Sequence, residues 1–150
     1  MSTRCQIGIY ESKKAKIKDF ESLLYQHCDG YPGTEDGKEN GVLPNIMPFL
    51  KDFAINRGLD DTEYLSARLM QYLCNKTDGT TKAINKKIGT NPDSIPKYLS
   101  FGICKVFHCD IAYFYKISPE CLQVYRPNNK WWDDPNEKHL TLIKTISLKF

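Results

Sequence analysis

The hydrophobic period changes between residues 4–10 (RCQIGIY) and residues 42–54 (VLPNIMPFLKDFA), and this change decides the fold class. In the first stretch apolar and polar side chains alternate, which is typical of a strand with one buried face. In the second stretch apolar side chains recur every three or four positions, which is typical of a helix packed on a core. The chain therefore combines strands and helices in separate segments.

The rest of the chain adds a second helix and further strands after the first helix. A second helix is predicted to follow the first and to end at about Asn75, and strand-like runs return at residues 101–108, 111–117 and 139–150. Helices placed between runs of strands favour an α+β fold over a parallel α/β fold. We expect the order ββααββββ, with about five to six strands in a single antiparallel sheet and two helices packed on one face.

Length and composition predict a single domain over residues 1–150. Residues 77–100 hold two glycines, two prolines and several lysines, so we expect a flexible insertion there. Residues 126–150 are predicted to form a C-terminal extension made of a loop and a terminal strand.

Charge and cysteine usage limit the compartment and the partners. The N-terminus has no apolar core typical of a secretory signal, no apolar run could span a bilayer, and the six cysteines contain no C-x-x-C pair. We therefore expect a cytoplasmic protein with reduced thiols and no membrane partner. A net charge of +3 is compatible with a small anionic ligand, but it does not predict binding to long nucleic acids.

A repeated tripeptide is the most unusual local feature: His27-Cys28-Asp29 and His108-Cys109-Asp110 each end a predicted strand. In extended backbone the His and Asp of each copy project to the same face. If the two strand ends are neighbours, two imidazoles and two carboxylates converge. They would bind a ligand, bind a divalent metal, or act as a general acid and base. The simpler alternative is two sets of polar residues beside turns.

Two further groups are candidates for ligand contacts. Arg4 would bind a phosphate or carboxylate, or else form an ion pair with Asp29. Tyr64 and Arg68 share a face of the second helix, where they would stack on a ligand and bind phosphate, or simply cover apolar surface.

Sequence signatures of known catalytic machinery are absent. The chain has no G-x-S-x-G, P-loop, G-x-G-x-x-G or H-E-x-x-H motif. A Cys and a His that are adjacent on a strand point to opposite faces, so neither Cys28 with His27 nor Cys109 with His108 can form a nucleophilic pair. No catalytic residue, metal ligand or cofactor is therefore assigned from the sequence.

Two stretches of the chain are similar to a known group of proteins: Ser2-Thr3-Arg4 and residues 25–32 (YQHCDGYP). The similarity extends over roughly residues 1–125. The chain resembles a group of small bacterial and phage proteins that open with Ser-Thr-Arg and contain a Tyr-x-His-x-Asp-Gly-Tyr-Pro block. The resemblance implies a phage or mobile-element setting and brings no activity with it. It also implies that the cysteines of the two tripeptides are not their essential members.

These patterns predict a protein that binds a small anionic ligand, with a nucleotide as the preferred candidate. In a phage setting it would sequester a host immune signalling nucleotide. One alternative is a phosphodiesterase or nuclease, with or without a metal, that uses the two tripeptide histidines. Another is an interaction module that inhibits a host protein through Trp131, Trp132 and the last strand. We also expect a homo-oligomer. The predicted ligand-binding residues are Arg4, His27, Asp29, Tyr31, Tyr64, Arg68, His108 and Asp110.

Overall fold

The computed structural model describes residues 3–92 and 100–150. Its elements, in chain order, are β1 (Cys5–Ile9), β2 (Ser22–Gln26), α1 (Val42–Asn56), α2 (Thr62–Ile88), β3 (Phe101–Ile103), β4 (Tyr113–Ile117), β5 (Cys121–Pro127), a short 3-10 helix (Glu137–His139) and β6 (Leu140–Ser147).

The strands form one six-stranded mixed sheet in the order β3-β2-β1-β4-β5-β6. The predicted α+β class with two helices is confirmed. The prediction of a purely antiparallel sheet is wrong, because β1 and β4 run parallel, with Cys5 opposite Tyr113 and Ile9 opposite Ile117. The order of strands within the sheet also differs from the stated order ββααββββ. Alternation reports which face of a strand is buried, but it does not report which strand lies beside it.

The parallel pair is made possible by a connection that crosses the sheet. Residues 101–108 and 111–117 were expected to be two strands separated by Cys109 and Asp110. Instead β3 ends at Ile103, and residues 104–112 pass across the sheet to begin β4 beside β1. We call residues 104–112 the crossover. It contains the second His-Cys-Asp tripeptide, so that tripeptide lies on the sheet surface and not at the end of a strand.

Both helices pack on one face of the sheet. Leu43, Ile46 and Leu50 of α1 are fully buried there, as is Leu69 of α2, and they share a cluster with Ile7 of β1. Burial of such side chains stabilises the fold by roughly 1.5–3 kcal/mol each. The α1 helix continues through Pro48 without a break.

The second helix is longer than its pattern indicated. We expected it to end at about Asn75, but α2 continues to Ile88, so residues 77–88 of the expected flexible insertion are helical. Gly89 ends the helix in a left-handed conformation, with φ of 80°. Of the remaining expected insertion, residues 93–99 lie outside the described residues.

The opposite face of the sheet is covered by connections, including the crossover. They bury a smaller cluster that contains Tyr10, Phe114 and Trp131. Trp131 is 1% exposed, so it is a core residue and not the interface residue that the interaction-module alternative required, whereas Trp132 is 62% exposed.

Within the described ranges, no helix combines the length and the apolar character needed to cross a bilayer.

Candidate functional site

The structure divides the predicted ligand-binding residues among three places. One group surrounds Tyr25 and comprises Arg4, His27, His108 and Asp110. A second group, Asp29 and Tyr31, lines a cavity that none of the first group lines. The third group, Tyr64 and Arg68, lies on the exposed surface of α2.

Tyr25 brings the two tripeptides together. Its ring stacks on the ring of His108 with centroids 4.7 Å apart, and its hydroxyl is 3.1 Å from Nδ1 of His27. Arg4 Nη1 donates to Asp110 Oδ2 at 2.6 Å. We call Arg4, Tyr25, His27, His108 and Asp110 the imidazole cluster.

The crossover is fixed where it carries His108. Gln6, which is fully buried on β1, accepts a hydrogen bond from the His108 backbone N–H at 2.9 Å and donates to the Val106 carbonyl at 3.1 Å. Trp131 Nε1 donates to the His108 carbonyl at 2.8 Å. Three hydrogen bonds thus hold the backbone on both sides of this imidazole.

The charge of the imidazole cluster is largely balanced within it. The expected ion-pair alternative, Arg4 with Asp29, is wrong, because Arg4 pairs with Asp110. An anion at this place would have to displace Asp110 from the guanidinium. Burial, followed by the nearby charge of Asp110, raises the pKa of Tyr25, so its hydroxyl stays protonated at neutral pH.

The cavity has a volume of about 450 Å³ and lies between α2, the end of β2 and the start of β3. This volume is within the range of roughly 300–1,000 Å³ that small-molecule sites occupy. Its lining side chains are mostly polar and come from several segments of the chain. They include Asp29, Tyr31, Asn40, Asn45, Lys76, Thr77, Thr80 and Thr81.

Lys76 supplies positive charge to the cavity. Among the described lining residues it is the one Lys or Arg, and its Nζ is 3.4 Å from the Tyr72 hydroxyl. The start of α1 also borders the cavity, but its first two N–H groups, of Val42 and Leu43, donate to backbone carbonyls and are not free to bind an anion. The lysine side chain is therefore the feature of the cavity that favours an anionic ligand, and the Asp29 carboxylate on the same lining opposes it.

Tyr64 and Arg68 join neither the imidazole cluster nor the cavity lining. The guanidinium of Arg57 lies 3.7 Å from the centroid of the Tyr64 ring, and Arg68 donates to Gln71 at 2.9 Å. Both side chains contact neighbours on the helical surface, and their assignment as ligand-binding residues stays a prediction.

Several residues of these sites were not among the predicted ones. Lys76 and the three threonines were missed because the helix was expected to end before them. A usable signal was present, since Gly89 preceded by Lys86 and Lys87 is a typical helix C-terminus. Tyr25 was missed although its spacing of two residues from His27 places both side chains on one face of the strand.

Within residues 3–92 and 100–150, no group of three or more His, Cys, Asp or Glu side chains is placed to hold a metal ion. The structure therefore gives the metal-dependent alternative no support in that part of the chain.

Comparison with protein-family models, with curated protein sequences and with solved structures finds no match to this chain. The fold and its sites define a class of protein. It is an α+β protein with a mixed six-stranded sheet, a polar cavity on the helical side of the sheet, and an imidazole cluster that includes two residues of the crossover. Function has to be argued from those two sites.

Proposed function

We propose that the chain is a binding protein for a small anionic ligand of nucleotide size, and that the ligand binds in the cavity. The observation that carries the proposal is a concave space of about 450 Å³ with mostly polar lining side chains and Lys76 as a cation. A mononucleotide matches such a site because it combines a phosphate, a hydroxyl-rich sugar and a flat ring.

Each part of a nucleotide has a partner among the lining residues. Lys76 would contact the phosphate by a charge-assisted hydrogen bond. Tyr31, which is 38% exposed, offers a ring on which a base can stack. Asn40, Asn45 and Asp29 would accept hydrogen bonds from sugar hydroxyls. This arrangement keeps Asp29 and Tyr31 from the residues predicted from the sequence. It moves the phosphate contact from Arg4 to Lys76.

The first test is a thermal-shift panel of nucleosides and of mono-, di- and cyclic nucleotides. We expect at least one nucleotide to raise the melting temperature, since a ligand that binds the folded state stabilises it. A response confined to cyclic nucleotides would support the sequestration of a signalling nucleotide. A panel without any shift would contradict the proposal.

The second test removes the cation. For the best ligand, Lys76→Gln is expected to weaken phosphate-dependent binding about tenfold, because one charge-assisted hydrogen bond contributes about 1.5 kcal/mol. Isothermal titration calorimetry with the nucleotide and its nucleoside measures this preference. Lys51→Gln, an exposed substitution on α1 outside the cavity, is the matched control and should leave both affinities unchanged. An unchanged phosphate preference in Lys76→Gln would refute the assigned contact.

A further inference from the structure

The crossover contains a thiol, an imidazole and a carboxylate in sequence. Cys104 Sγ is 3.6 Å from Nε2 of His108, and Nδ1 of the same ring is 4.0 Å from Asp110 Oδ1. The thiol and the carboxylate therefore lie on opposite nitrogens of one ring. This is the order in which a nucleophile, a base and an orienting acid are arranged in enzymes that use covalent catalysis.

We propose that Cys104 is a catalytic nucleophile toward acyl esters and thioesters, with His108 as its general base and Asp110 as the positioning residue of that base. The site is separate from the cavity, and the proposal does not depend on nucleotide binding there.

The imidazole is held in the orientation that this role requires. Tyr25 stacks on one face of the ring, and the backbone of His108 is fixed by Gln6 and Trp131. Asp110 is itself held by Arg4 at 2.6 Å. A proton on Nδ1 would face the Asp110 carboxylate across 4.0 Å and would leave Nε2 as the proton acceptor that faces the thiol.

The surface of β3 is open at Gly102, two residues before Cys104. Gly102 precedes Cys104 by two residues and lies opposite Tyr25 in the sheet, and a β-carbon added at Gly102 would meet no atom within 4 Å. Cys104 is itself partly exposed. An acyl group can therefore approach over Gly102 without a change in the backbone.

The protonation state of Cys104 determines how the acyl transfer to its sulfur begins. Burial raises the pKa of its thiol, so the resting group is a neutral thiol at neutral pH. As the sulfur bonds to the acyl carbon, the thiol proton passes to His108 Nε2, and His108 then protonates the departing alcohol or thiol. Water hydrolyses the resulting thioester, which releases a carboxylic acid and restores the thiol.

Acetylation by p-nitrophenyl acetate tests the proposal. Mass spectrometry of the treated wild-type protein is expected to find an acetyl group on Cys104 that neutral hydroxylamine removes, as it does from thioesters. In His108→Asn the acetylation rate at Cys104 should fall at least tenfold, since general-base catalysis contributes roughly 10²–10⁴-fold. The exposed thiol of Cys28 serves as a reference in the same samples.

Two controls separate chemistry from folding. His139→Asn alters an imidazole that lies beside Asp134, outside the imidazole cluster, and should leave the acetylation rate unchanged. Cys104→Ala should abolish the labile acetyl group while keeping the wild-type circular dichroism spectrum.

Iodoacetamide alkylation of the same variants provides a second measurement, in which sulfur displaces iodide. The rate at Cys104 should again fall at least tenfold in His108→Asn. If Cys104 in the folded wild-type protein is not acetylated, or reacts as fast with both reagents in His108→Asn, the proposal is overturned.

Discussion

Gln6 is the residue that joins the centre of the sheet to the crossover. It has no exposed surface, and its amide satisfies a backbone N–H of His108 and a carbonyl of Val106. A buried polar side chain is tolerated when its hydrogen bonds are formed, and its removal leaves the partner groups unsatisfied.

Gln6→Leu is therefore expected to lower the free energy of unfolding by roughly 2–4 kcal/mol, since it strands two backbone groups at about 1–3 kcal/mol each. Urea denaturation followed by tryptophan fluorescence measures the change. Gln71→Leu, at an exposed position of α2, should change stability by less than about 0.5 kcal/mol. Equal effects of the two substitutions would show that the contacts of Gln6 contribute little.

Only some residues of the candidate sites could be predicted from the sequence. The repeated tripeptides suggested that His27 and His108 converge, and both indeed contact Tyr25. The sequence does not predict the partnership of Cys104 with His108, because residues 101–108 have the pattern of a single strand. In an extended strand, residues four apart are too distant to pair, whereas the irregular crossover brings them within 3.6 Å.

At the scale of elements, α2 connects the fold to the cavity. Its first half packs on the sheet through Leu65 and Leu69, and residues 76–81 line the cavity. Gly79 lies in this second half, where a β-carbon would meet no atom within 4 Å. Gly89 ends the helix at φ 80°, a conformation that side chains other than glycine rarely adopt.

The two glycines are expected to respond to the same substitution with opposite signs. Gly79→Ala should stabilise the protein by about 0.5–1 kcal/mol, because alanine restricts the unfolded chain and favours the helix. Gly89→Ala should destabilise it by about 1 kcal/mol, because the left-handed conformation strains a β-carbon. Thermal unfolding of the two single variants measures both effects, and a shared sign would contradict the assigned end of α2.

The elements themselves were more predictable than their arrangement. Alternation placed β1 and the terminal strand, and helical spacing placed α1, because each pattern records which side chains are buried. The end of α2 was missed because its exposed last turns carry no apolar stripe. The parallel neighbours β1 and β4 could not be inferred, since their pairing depends on the path of the crossover across the sheet.

Over the whole molecule, the sheet is buried on both faces, by helices on one side and by connections on the other. The segment after β5 contributes to both layers. Ile146 and Leu148 join the helical cluster, and Trp131 joins the opposite one. This part of the chain is thus integrated with the rest and is not an appendage to it.

Removal of residues 128–150 is consequently expected to abolish cooperative unfolding, because it exposes β5 and opens both clusters. Circular dichroism during thermal denaturation is the measurement. A chain lacking only residues 149–150, of which Phe150 is 54% exposed, should unfold as the full chain does. A folded product of the longer deletion would instead support a detachable C-terminal interaction segment.

The position of β1 between β2 and β4 has a consequence for biosynthesis. On the ribosome β1 emerges before β4, because its parallel neighbour is made only after both helices and the crossover. Until then the edge of β1 that faces β4 has no hydrogen-bonding partner. Pairing is also slow when two strands are this far apart in the chain. The nascent chain should accordingly depend on chaperones until translation has passed β4.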